Sequence, residues 1–312
     1  IMASLDRVEI ANYAFEVEYA CRLHALGGMT TDATVALIRM LIDGRLYTNM
    51  MGRDVNFRYS DLSSAFNTPN KLRYFKRIFG PGDMAVPAMI ERENPILNLT
   101  THDMCQVGGP LFDALGERLV FINVVRHPLF MIIQQTLNME RLLNDARDIQ
   151  VYFEYQGQEL PYFATGWEDL YLASNAVEKA VYVIQHQEEL RQEVLQKYRT
   201  CLGHRYIEIP FERFVKDPGP YLDQICKASG TAPGRKTATV MRGQKVPRKN
   251  VVDGISLAIY KRCGWEAPVR GLNECEEHAK RRQFAVDQGA SDECLNVLDS
   301  LSREYELKNS IL

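Results

Sequence analysis

The sequence is short of several things, and each shortage narrows what the protein can be. No apolar run among its 312 residues approaches the roughly 18 that a membrane-spanning helix needs, so no membrane span is expected. The first residues, 1–7, have no apolar core of the signal-peptide kind. Seven cysteines (21, 105, 201, 226, 263, 275 and 294) are odd in number and scattered, and no C-x-x-C pair occurs. That pattern argues against a zinc site or a disulfide framework and for a reducing, cytoplasmic compartment, and no metal is expected. Charge of one sign is lacking too: 37 basic against 40 acidic residues leave a net charge of −3. A protein held mainly by nucleic-acid phosphate or by an anionic membrane would carry a positive excess. There is no internal repeat and no G-x-x-x-x-G-K-[ST] phosphate loop. What remains, 46% hydrophobic and 25% charged, is the composition of an ordinary globular protein.

Periodicity then sketches the elements. Residues 22–27 suggest a short strand, and 30–43 a helix with a threonine cap and a stop at Gly44. Residues 71–77, Lys-Leu-Arg-Tyr-Phe-Lys-Arg, form a basic amphipathic patch. The β-branched runs 96–101 and 119–125 predict buried strands of the parallel kind, with a short helix over 110–115 between them. A helix is expected from Pro128 towards Asp148, and a hairpin over 151–163 turning at Gln156-Gly157. A long helix over 175–198 has Asn175 and Glu178 spaced as a capping pair. A strand at 205–209, a helix near 218–229, a basic loop at 234–250 and a polar helical tail over 274–312 complete the chain. Strands alternating with helices predict an α/β fold, a three-layer parallel sheet flanked by helices, as one domain over 1–312 with 150–200 as an insertion.

Four stretches carry chemistry. A Gly-containing turn at 27–28 that opens a helix offers backbone N–H groups and a dipole to a phosphate, or is simply a capped helix in which Asp32 repels anions. His102 follows a strand, where an imidazole can take a proton at neutral pH, or is only a hydrogen-bonded strand end. Arg126 leaves another strand before Pro128, as a phosphate clamp or as half of a structural ion pair. Residues 235–249 hold six cations and no acid, an anion site or a solvated loop; with no interleaved aromatics, nucleic acid is not the expected partner. Seven aromatics between Tyr152 and Tyr171 either wall an acceptor pocket or pack a core.

The order of these pieces over residues 22–255 resembles the sulfotransferases that use 3′-phosphoadenosine 5′-phosphosulfate (PAPS). Val124-Val-Arg126-His-Pro128 looks like that family's 3′-phosphate strand. Thr100-Thr-His102 is similar to its K-T-H strand end, Pro210-Phe-Glu212-Arg-Phe214 to a later strand, and Pro247-Arg248-Lys249 with Gly254 to its terminal phosphate-gripping loop. The resemblance implies a P-loop-like fold in which PAPS, or its product adenosine 3′,5′-bisphosphate (PAP), is held by Thr31, Ala33, Thr34, Arg126, Gln134, Arg248 and Lys249. It puts His102 on the general-base position, with Asp103 and Glu140 in reserve, and a small molecule or carbohydrate as acceptor.

The departures from the pattern are specific. The loop's cation falls on Thr31, its small hydroxyl on Asp32, its glycine on Ala33 and its last hydroxyl on Val35. The lysine before the histidine is Thr100, and the serine eight residues after the arginine is Gln134, with Thr136 nearby. Either transfer has been lost and a nucleotide-binding or scaffold module remains, or the cation comes from Arg39, Arg45 or the 235–249 loop, or the true loop precedes Ile1.

Overall fold

The computed structural model describes residues 1–61, 63–80, 82–141, 150–255 and 271–309. In chain order the elements are β1 (Val8–Tyr13), α1 (Phe15–Ala25), α2 (Thr31–Met51), α3 (Lys71–Ile78), α4 (Val86–Glu93), β2 (Ile96–Thr100), α5 (Gly109–Leu115), β3 (Phe121–Val125) and α6 (Pro128–Arg141). They continue with β4 (Tyr152–Tyr155), β5 (Gln158–Pro161), α7 (Glu168–Ala173), α8 (Ala176–Leu202), β6 (Tyr206–Pro210), α9 (Phe211–Phe214), α10 (Gly219–Ser229), α11 (Thr237–Gly243), α12 (Glu274–Asp287) and α13 (Asp292–Asn309). The class is α/β. Among the described residues the strands make three two-stranded pairings, β1 with β2, β3 with β6 and β4 with β5, where a continuous sheet was expected. No helix among these residues is long and apolar enough to cross a membrane.

The chain divides into two compact units. The first comprises Ile1–Phe121, Tyr198–Ile207 and Pro220–Gly243; the second comprises Ile122–Lys197, Glu208–Gly219 and Gln244–Leu312.

In the first unit β1 and β2 run parallel, with Tyr13 opposite Thr100, so both strands end at the same edge. Glu9, in the middle of β1, is fully buried. Arg77 of α3 grips it with bonds of 2.7 and 3.0 Å, and Arg73 stands 2.5 Å away. A buried carboxylate is tolerable when charge-assisted bonds replace its water. The strand suggested at 22–27 is instead the last turn of α1: Val17, Ala20 and Cys21 are buried at helical spacing, and Glu18 pairs with Arg22 one turn on at 3.2 Å. Gly44 does not stop α2, because Ile42, Asn49 and Met50 carry the buried stripe past it; the helix ends at Gly52, whose φ of 85° suits a glycine cap.

In the second unit the hairpin turns at Gln156-Gly157, both at positive φ, and pairs antiparallel as its alternation predicts. The Asn175 and Glu178 side chains cap each other's backbone reciprocally at the head of α8. The tail is not a polar appendage. Ala285, Cys294, Leu295 and Leu298 enter one core with Leu160, Trp167, Tyr171 and Val181. The part of the predicted 128–148 helix after Arg141 lies outside the described residues. The basic loop contains a helix, α11, and its six cations divide between the units: Arg235, Lys236 and Arg242 in the first, Lys245, Arg248 and Lys249 in the second.

Candidate functional site

The turn at residues 26–30 joins two helices, so it is not the strand–loop–helix that cradles a phosphate. Gly27, at φ 74°, ends α1 by donating its N–H to the His24 carbonyl at 2.9 Å, and the Gly28 N–H goes to the Leu23 carbonyl at 2.8 Å. Of the residues expected to hold phosphosulfate, Thr31 places its hydroxyl 3.0 Å from His24 Nε2, and the Ala33 N–H donates to the Thr30 hydroxyl, the cap of α2. Thr34 is fully buried, with its hydroxyl donating back to the Thr30 carbonyl at 2.8 Å. Its role as a surviving phosphate ligand is therefore corrected: that hydroxyl is a helix-internal bond. The first turn of α2 holds Asp32 and no cation. Arg39 is engaged with the Ala114 carbonyl, and Arg45 with the Tyr13 carbonyl and Glu16.

His102 has a more specific setting, which the sequence did not disclose. Its backbone N–H and its Nδ1 both meet one oxygen of Glu18, at 2.8 and 3.1 Å. Glu18 is 2% exposed and also faces Arg22, whereas the His102 side chain is 55% exposed. With Nδ1–H donating to the carboxylate, Nε2 is the basic atom. The bond to Glu18 raises the imidazole pKa above its ordinary 6.5, against the opposing effect of burial. Tyr13 and Phe15 lie nearly parallel to the ring, at 6.2 Å each and 5.8 Å from each other. Three such equal separations mean offset rings, because in a plain stack the outer pair would be twice as far apart. Asp103, the reserve base next along the chain, is exposed with φ 51°.

In the second unit the strand-end Arg126 and the distant Arg248 meet at one ring: their guanidinium carbons lie 4.8 and 5.6 Å from the centre of Phe211. The Arg248 N–H donates to the Val215 carbonyl at 2.8 Å and its Nε to the Val251 carbonyl at 3.0 Å. Burial, and next the neighbouring charge of Arg126, lower the Arg248 pKa, the mark of two cations held close together. Gly254 lies under this guanidinium; a Cβ there would stand 3.0 Å from it. An open depression of about 490 Å³ is lined by Lys245, Arg248, Asp253 and Gly271. Lys249 is exposed beside it in sequence. Arg126 is braced by Glu212 at 3.8 Å; Glu212 in turn accepts the His127 N–H and the Tyr305 hydroxyl, the latter at 2.6 Å from α13. Glu212 stands in the 210–214 motif, but its pairing with Arg126 is not legible there, and Tyr305 lies in a tail with no motif that points at Arg126.

The remaining expectations separate. Gln134 and the exposed Glu140 lie on α6, and the Thr136 hydroxyl is buried against the Ile132 carbonyl at 2.8 Å, which removes Thr136 as a substitute phosphate ligand. Trp167 and Tyr171 are core residues with Phe153, Tyr155 and Phe163 packed against that core, and Tyr162 is buried, so six of the seven aromatics are packing.

His127, His278 and Glu306 present ligand atoms within 4.8 Å of one another, a set of the kind that holds zinc. The proton arrangement opposes that use. His127 Nδ1 accepts the Leu129 N–H at 3.2 Å, which puts the ring proton on Nε2, the atom 3.1 Å from Glu306. A metal on Nε2 would turn Nδ1 into a donor facing a donor. Burial pushes both imidazoles down to about 4, so both rings are neutral at pH 7. No family model, curated protein or solved structure matches the chain.

Proposed function

We propose that the chain is a divergent sulfotransferase-like protein that binds a 3′-phosphorylated adenine nucleotide, PAPS or PAP, through Arg126 and Arg248. The observation that carries this reading is the meeting of two guanidinium groups from distant parts of the sequence at Phe211, with Gly254 beneath one of them. A strand-end arginine and an Arg-Lys…Gly loop on one phosphate is what the resemblance implies, and two close, partly buried cations suit a dianion. Lys249 and Gln134 are the neighbouring ligands in this reading, and the three-layer sheet is its fold. Of the two, PAPS would supply the sulfuryl group and PAP would be the leaving group. His102 of the first unit, held in one tautomer by Glu18, has a basic Nε2 of the kind that takes a proton from a hydroxyl or amine. The acceptor is a small molecule or a carbohydrate.

One observation favours a second reading, a non-catalytic nucleotide-binding or scaffold module: the expected phosphosulfate cradle at residues 28–35 is a helix corner whose polar groups are bonded internally.

Calorimetric titration with PAP tests the first reading. Arg126→Ala should weaken binding roughly tenfold to a hundredfold, the worth of one charge-assisted bond. Gly254→Ala should weaken it by displacing Arg248 while leaving thermal stability nearly unchanged. Absence of binding to the wild-type protein at millimolar PAP removes the site. Transfer of labelled sulfate from PAPS separates the two readings: turnover lost in His102→Ala supports the enzyme, and no turnover from a protein that does bind PAP supports the module.

A further inference from the structure

The basic amphipathic patch at residues 71–77 plays no part in the proposed nucleotide site, and its orientation is the reverse of the usual one. Helix α3 turns Arg73, Tyr74 and Arg77 inward and leaves Leu72 and Ile78 exposed. Arg77 is buried on Glu9, and Arg73, 24% exposed at its side chain, reaches the same carboxylate. Leu72 is 69% exposed, and Phe79, just past the helix end, is 87% exposed. Across the turn that follows, Met84 is 95% exposed. Among the described residues, six of the sixteen exposed large hydrophobic side chains fall between positions 59 and 84: Tyr59, Phe66, Leu72, Ile78, Phe79 and Met84. Part of this set is continuous through ring contacts: Phe75 of α3 lies 5.1 Å from Phe66, which lies 5.6 Å from Tyr59. Such a concentration marks a contact surface.

The charge around it selects the partner. Lys71 and Lys76 are exposed on α3, which contains no acid, and Lys236 donates to the Pro69 carbonyl at 2.7 Å, just before the helix. Of the acids close by, Glu9 and Glu93 face Arg73 and Arg77 and Asp61 faces Arg58, while Asp83 beside Met84 accepts the neutral Tyr47 hydroxyl at 2.5 Å and Glu91 on α4 is exposed. Lysines bordering nearly bare Phe, Met and Leu side chains, with a tyrosine at the margin, match a surface that is anionic outside and apolar within. We infer that the face formed by α3 and the turn after it docks on an anionic phospholipid bilayer, Phe79 and Met84 entering the acyl boundary and Lys71, Lys76 and Lys236 lying at headgroup level. The net charge of −3 is no obstacle, because headgroup attraction acts within about a Debye length of the cations concerned.

Co-sedimentation with vesicles of phosphatidylcholine, with and without phosphatidylserine, tests the inference. The wild-type protein should sediment with the serine-containing vesicles, and less so at high salt. The double variant Phe79→Ser, Met84→Ser should lower that partition about tenfold or more, since the inserted apolar area is lost. Lys71→Gln and Lys76→Gln should each lower it roughly fivefold, on serine-containing vesicles only. All four side chains are exposed, so circular dichroism should show unchanged folding. Failure of the wild-type protein to sediment with serine-containing vesicles overturns the inference, and so does undiminished sedimentation of the double variant. A solution mass of two copies that falls to one copy in the double variant, without lipid binding, would reassign the face to self-association. None of these outcomes depends on PAP binding, so the nucleotide reading stands or falls separately.

Discussion

Two histidines in this protein each have a glutamate oxygen 3.1 Å from a ring nitrogen, yet they shift in opposite directions. His102 against Glu18 is raised; His127 against Glu306 is pushed down to about 4. The difference lies in which partner is buried. At the first pair the carboxylate is 2% exposed and the imidazole half-open to water; at the second the imidazole is fully buried and the carboxylate 19% exposed. A ring that keeps contact with water can accept the charge its partner favours, whereas a ring sealed in the interior loses more solvation than the opposing charge of Glu274 returns. The same pair of residue types thus gives a poised base at one place and a neutral structural donor at the other.

The comparison can be broken in four ways. The largest effect belongs to Glu18→Ala, which removes the charge opposite buried Arg22 as well as the partner of His102; urea unfolding should report a loss of about 3–5 kcal/mol. Next comes acid titration of stability. His127 is lowered in the folded state, so between pH 6.5 and about 4 the unfolded chain binds the extra proton and stability falls with pH. The loss from this residue is roughly 3 kcal/mol, and His127→Asn, which keeps a capping acceptor, should remove that share of the slope and leave the share of His278, which is likewise pushed down to about 4. Glu306→Gln should then cost no more than about 1 kcal/mol, and the His127 ring should stay neutral at pH 6 by NMR, because burial rather than the carboxylate sets its state. The smallest effect is at His102. Its raised pKa adds stability that is present below pH 6.5 and lost as pH rises through the folded value, but solvent screens a ring this exposed. NMR titration of Glu18→Gln should show the His102 midpoint moving down towards 6.5, and any transfer rate that uses Nε2 should rise with pH through the same midpoint.

Local rules carried much of the fold. The hairpin turn at Gln156-Gly157, the Asn175–Glu178 cap and the runs that became β2 and β3 depend on neighbours a few residues apart and were legible as elements, but the burial expected of the two strands did not follow: β2 is half-buried throughout and Val124 of β3 is exposed. Strand β1 was missed because Glu9 interrupts its apolar pattern, and what makes Glu9 acceptable is a pair of arginines more than sixty residues away. At Gly27-Gly28 the capped helix is the alternative that holds, and the sequence leaves it open for a related reason: glycine at positive φ closes a helix as readily as it opens a phosphate loop, and only the element before it distinguishes the two. Among the candidate residues, Arg126 and Arg248 in the second unit and His102 in the first stand out in the sequence as strand ends and cations. Glu18, Phe211 and Tyr305 do not, since each acts through a partner that only the folded chain provides.

The chain passes between its two units five times, at the borders after Phe121, Lys197, Ile207, Gly219 and Gly243. Each unit is therefore assembled from three separated stretches, and no single cut yields either one whole. A fragment ending at Phe121 lacks the later segments of the first unit; one beginning at Gln244 has no Arg126, Phe211 or His127. Such wiring has a high mean sequence separation between contacting residues, which slows folding, and shortened versions of this protein should aggregate sooner than fold.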